Sequence, residues 1–199
     1  MTFVALAPVA LGFFGLGTGY LIYGPWEFFG KPSEKTPEIN RTLGQWGIWM
    51  PGFLQFLAGT YLWLGLTLFP AFQPASTVGH TVLYMAALAF TAFGVHWFAL
   101  GYNRYKSSDM RVDGYMALSF MWISIMGAFV FLYNGADVPV GILFVLLFFV
   151  YLSDAPASLM SSKFWTRIKG FWHIVTGVWL MYLTFAAVAN LALGIALWV

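Results

Sequence analysis

GILFVLLFFVYL, running from Gly141 to Leu152, decides the class of fold. A strand of a membrane barrel turns every second side chain toward a polar lumen, and polarity here does not alternate. The stretch therefore reads as part of an apolar helix. Working outward, runs of roughly 20 apolar residues, the length a helix needs to cross a hydrocarbon core about 30 Å thick, recur along the chain. They lie at 3–23, 44–70, 79–102, 114–134, 138–153 and 170–199. The expectation is an all-α membrane protein, with one domain over 1–199 and six transmembrane helices in a compact bundle. The fifth run is short and the sixth long, which suggests tilt or a break near Asn190 or Gly194.

Composition agrees. Of 199 residues, 61% are hydrophobic and 8% charged, and the mean hydropathy is +0.80, far from the balance of soluble domains. A net charge of +2 is too small to point to nucleic acid, and the absence of Cys excludes disulfides and thiolate metal sites. No basic segment precedes the first run, and its small-residue pattern, Ala5 to Ala7, comes before the apolar stretch. The first run is thus expected to be a retained helix rather than a cleaved signal.

Charge sets the orientation. The segments after the first, third and fifth runs hold Lys31, Lys35 and Arg41, then Arg104, Lys106 and Arg111, then Lys163, Arg167 and Lys169, which are all nine basic residues. Basic loops stay in the cytoplasm, so both termini are expected outside a cytoplasmic membrane. Glu27, Glu34, Glu38, Asp109 and Asp113 share these segments and read as solvating them. Trp26, Trp46, Tyr102, Trp165 and Trp198 flank the runs as interfacial aromatics do.

Few polar groups remain at depth. Asp137, Asp154 and Lys169 sit at run ends, which disfavours a carboxylate proton relay of the kind found in pumps. His96 and His173 read first as neutral packing residues and, in the sharper alternative, as pH-sensitive groups lining a pore. His80 reads as interfacial. In GIWMPGFLQFLAG, Gly47 to Gly59, residues Gly52, Gln55 and Gly59 share one helical face. A glutamine amide facing lipid would leave donors and an acceptor unpaired, so Gln55 must face protein or a wet path. Pro51 is expected to kink this helix. Gly12, Gly15, Gly17 and Gly19 let the first helix pack closely against another helix or protomer, Gly15 and Gly19 in small-xxx-small spacing. No metal-ligand spacing, Ser/His/Asp arrangement or phosphate loop stands out, so neither an enzyme nor a cofactor is expected.

APVALGFFGLG, GIWMPGFLQFLAG and AFTAFGVHWFAL, beginning at Ala7, Gly47 and Ala89, resemble the three signatures of the YaaH-type acetate uptake transporters. The likeness continues more weakly through NGADVPVGILFVLLFF and GFWHIVTGVWLMYLTF. The signatures are eroded: an Asn and a second Pro are missing from the first, Pro51 replaces a glycine in the second, and Ala92, Phe93 and Gly94 stand for Ser-Tyr-Gly in the third. The resemblance implies a pore through each protomer of a homo-oligomer, lying among membrane lipid and passing a small monocarboxylate such as acetate. It implies a pathway along Pro8, Gly52, Gln55, Thr91 and His96, and an apolar constriction of Leu16, Phe93 and Leu146. Gly12, Gly15, Gly19 and Gly59 would serve helix packing. The charge pattern implies the opposite orientation to many of these relatives. Two alternatives stand beside it: a pore for a neutral solute such as urea, an amide or ammonia, and a non-transporting subunit of a larger membrane complex.

Overall fold

The computed structural model of the chain describes residues 7–30, 37–68, 77–133 and 137–199, and these residues are helical almost throughout. Helix α1 is Ala7–Phe29. Helix α2 covers 37–68 in three stretches: α-helical Pro37–Gly47, a π-helical turn Ile48–Phe53, and α-helical Leu54–Leu68. Then follow α3 (Thr77–Lys106), α4 (Arg111–Tyr133), α5 (Val138–Leu159) and α6 (Lys163–Leu193). Among the described residues, four stretches are long and apolar enough to cross a membrane: Val82–Lys106, Arg111–Tyr133, Val138–Leu159 and Lys163–Leu193.

Each helix packs on the next in chain order, and α6 closes the ring by lying along α1. The interior of that ring is what positions the site. Small residues allow the close crossings. A Cβ on Gly15 would meet the Met50 carbonyl oxygen at 2.6 Å and Leu54 Cβ at 2.7 Å, and one on Gly19 would meet Pro51 Cγ at 2.7 Å. The glycines of the first helix thus accept the π-turn of α2 within the same chain. Gly12 lies under Phe90, and Gly59 lies under Thr91. The kink expected at Pro51 takes the form of this π-turn, in which one extra residue absorbs the missing proline N–H.

Helix ends differ from the apolar runs in informative ways. Helix α1 continues past Pro25 to take in Glu27, α5 continues to Leu159 past Asp154, and α6 begins at Lys163, seven residues before the apolar run. Charged groups assigned to loops or run ends therefore sit on helices. At its other end α6 stops at Leu193, where Gly194 takes the left-handed conformation at φ 65°. Glycine adopts that geometry without a Cβ penalty, and the Ile195 N–H closes the turn on the Ala189 carbonyl at 3.4 Å. The last residues fold back: Asn190 Nδ2 donates to the Leu197 carbonyl at 2.9 Å, and the Leu197 N–H donates to Asn190 Oδ1 at 2.7 Å.

Candidate functional site

An apolar cavity of about 280 Å³ occupies one half of the ring, reaching from Asp137 and Val199 inward. Phe13 and Leu16 of α1, Phe90 and Phe93 of α3, and Leu143, Phe144 and Leu147 of α5 line it. Gln55 also lines it; the residue is 1% exposed and its Oε1 meets no hydrogen-bond donor of the protein. The amide oxygen is therefore not used to join helices. Asp137 caps α5 by accepting from the Val140 N–H at 3.0 Å, and partial burial raises its carboxyl above the usual carboxylate range.

Deeper along the same helix faces, the side chains change character. One turn beyond Leu16 stands Tyr20, one turn beyond Phe93 stands Trp97, and one turn beyond Leu147 stands Tyr151. Together with His96 these residues wall a chamber of only about 20 Å³. The Tyr20 ring stacks on His173 at 4.5 Å, and the His96 ring lies 4.7 Å from Phe120. The far wall of the chamber is charged. Glu27 Oε1 accepts from Arg104 Nη2 at 2.7 Å and lies 3.0 Å from Lys169 Nζ, while its Oε2 accepts from His173 Nδ1 at 2.8 Å. Lys169 Nζ also donates to Asp154 Oδ1 at 3.0 Å.

The Glu27 side chain is 2% exposed, and its partners are scarcely more open. Burying charges this far from water is tolerated only when each is paired. Here two carboxylates face two cations, from α1, α3, α5 and α6, with His173 completing the set. Beyond it a polar cavity of about 350 Å³, lined by Asn103, Arg104, Ser107, Arg111 and Lys169 among others, reaches the ends of α3 and α5. In the turn between α3 and α4, the exposed Asp109 pairs with Arg111, which holds its carboxyl down at about 2. Apolar cavity, narrow chamber and polar cavity thus follow one another along the bundle axis.

The fold is similar to that of a known channel. The solved structure of the bacterial acetate channel SatP aligns with TM-score 0.70 over 94% of this chain and 94% of that chain, at 18% sequence identity. At that identity the likeness concerns the fold. No protein-family model matches the chain, and no curated protein sequence does.

The residues singled out from sequence fall in several places. Gln55, Leu16 and Phe93 line the apolar cavity, and His96 lines the chamber beyond it. Leu146 is half-buried and off the lining; its neighbour Leu147, 1% exposed, is on it. Thr91 serves the α2–α3 contact, where its Oγ1 accepts from Trp63 Nε1 at 3.0 Å, and Gly52 packs against Phe98 at the same interface. Pro8 is half-buried in the first turn of α1. His80 lies outside the residues whose side chains are described.

The charged wall was not read from sequence. His173 has an acidic partner, Glu27, which lies 146 residues away in the chain. Glu27 and Asp113, taken as loop solvation, are both buried, the latter accepting from Asn103 Nδ2 at 3.2 Å. Helical spacing did carry a signal. Tyr20, Tyr23 and Glu27 recur at i, i+3 and i+7, and Phe93, Trp97, Leu100 and Arg104 follow the same phase.

Proposed function

We propose that this protein is a membrane channel for a small solute, that the solute is a small monocarboxylate such as acetate, and that the path runs down the interior of the helix ring. The observation that carries this is the alignment of three cavities along the axis, with an unpartnered Gln55 amide in the first and charged groups walling the last two. Leu16, Phe93 and Leu147 form the hydrophobic constriction, which closes by excluding water. The likeness in fold to an acetate channel supports the choice of solute class.

The apolar half favours the uncharged acid over its anion, because an isolated carboxylate there would lose its hydration with no charge to replace it. A symmetric homo-oligomer with one pore per protomer fits the extensive apolar outer surface, such as Trp122 and Phe129 of α4. Among the described residues the basic side chains Arg41, Arg104, Lys106, Arg111, Lys163, Arg167 and Lys169 lie toward the end of the ring that carries the polar cavity, and by the preference of basic segments for the cytoplasm that end is the cytoplasmic one.

The test is solute entry into liposomes containing the purified protein, with labelled acetate, urea and acetamide compared over a series of pH values. Acetate flux above the protein-free leak, increasing as pH falls, is the expected result. Urea or acetamide flux that exceeds acetate flux at every pH would favour a neutral-solute pore, a reading to which the uncharged Gln55 amide lends itself. No flux of any solute would overturn the channel.

A further inference from the structure

Five buried polar atoms converge on the narrow chamber without a hydrogen-bond partner in the protein: Tyr20 OH, His96 Nδ1, Trp97 Nε1, Arg104 Nε and Tyr151 OH. All of them can donate, and two can do nothing else. An indole N–H and a guanidinium N–H can only donate, a phenol O–H can donate, and an imidazole nitrogen donates in one of its tautomers. Tyr20 and Tyr151 neighbour one another, yet neither hydroxyl completes a hydrogen bond of ordinary geometry. Unmade bonds of this kind are costly, and native interiors hold few of them. Trp97, Tyr20 and Tyr151 are each at most 2% exposed, so bulk water does not reach them.

We infer that this chamber is a binding site for a carboxyl group, whose acceptor oxygens complete the bonds offered by Trp97, Arg104, Tyr20 and Tyr151. This rests on the monocarboxylate reading and deepens it. The constriction above excludes water, and the chamber is the first place past it where donors replace the lost hydration. The charged wall beyond supplies Arg104 and Lys169 next to the bound group, while Glu27 and Asp154 hold those cations in place and cancel their excess charge. An amide solute suits the chamber less well, since it has one acceptor oxygen and brings donors of its own. At about 20 Å³ the resting chamber is sized for a single water, and a carboxyl group enters by displacing it and shifting the Tyr20 and Tyr151 rings.

The test uses the purified full chain in detergent and in liposomes. Thermal unfolding is followed with sodium acetate, with sodium chloride at matched ionic strength, and with acetamide, for wild type, Trp97→Phe and Tyr151→Phe. A ligand held by the folded state raises its melting temperature. The expected result is a rise specific to acetate in wild type that is lost in Trp97→Phe and Tyr151→Phe; without ligand Tyr151→Phe folds at least as stably as wild type, whereas Trp97→Phe, which removes part of a buried ring, melts somewhat lower. Removing an unsatisfied donor does not by itself destabilise. In flux, the same variants raise the acetate concentration for half-saturation about threefold to tenfold, as expected for one lost hydrogen bond. An acetate-specific rise without flux would sink the channel and leave the site standing. Flux in wild type with no acetate-specific rise, or with an equal rise in all three proteins, would overturn the site and leave the chamber to a structural water.

Discussion

At the scale of the residue, Gln55 is the clearest case of a side chain whose burial is not explained by packing. Its Oε1 has no donor, it sits on a cavity wall, and its neighbours there are apolar. Gln55→Leu is therefore expected to leave thermal stability unchanged or higher, because it removes an unpaired buried acceptor. Acetate flux should fall about tenfold or more with the loss of that polar contact. A drop in melting temperature with flux intact would show that the amide ties helices together. Sequence made Gln55 visible because a polar residue in a greasy helix must face something other than lipid. Glu27 was hidden for the opposite reason. It lies beyond Pro25 at the end of an apolar run, where a carboxylate looks like loop solvation, and each of its partners is supplied by a distant segment of the chain.

At the scale of the element, apolar run length gave the helices and composition gave the membrane, but neither gave the phase of a helix that is apolar all round. The stretch around Gly141 to Leu152 is the example. With no polar face to set the rotation, Leu146 and Leu147 are equivalent on paper, and only packing against α6 and α4 turns Leu147 inward. Helix α2 had more to say, because Pro51 and the facing glycines mark a close crossing. Gly15→Ala would drive a Cβ against the Met50 carbonyl and Leu54 Cβ, and the backbone atom cannot rotate away. It is expected to destabilise the fold by about 1–3 kcal/mol, the usual cost of overpacking, read as a lower midpoint in detergent unfolding. An unchanged midpoint would mean that α1 and α2 separate freely at the π-turn.

At the scale of the whole molecule, four of the six helices are joined at one end by the buried charges of Glu27, Arg104, Asp154 and Lys169, while the other end is held by apolar contacts around a cavity. Glu27→Gln leaves Arg104 and Lys169 short of a counter-charge and should cost about 3–5 kcal/mol. Adding Lys169→Met should recover part of that loss, whereas a Glu27→Gln variant as stable as wild type would mean that the charges are reached by water. The division into an apolar half and a polar half underlies the proposed path through the ring, in which Leu16, Phe93 and Leu147, on the wall of the apolar cavity, are the proposed constriction. The most direct measurement is acetate entry into liposomes carrying wild type, Leu147→Trp or Leu146→Trp, each checked for folding. If the solute passes down the ring interior, Leu147→Trp blocks entry and Leu146→Trp, whose side chain lies off the cavity, leaves it near wild type. Entry blocked by Leu146→Trp and untouched by Leu147→Trp, or untouched by both, would contradict the path.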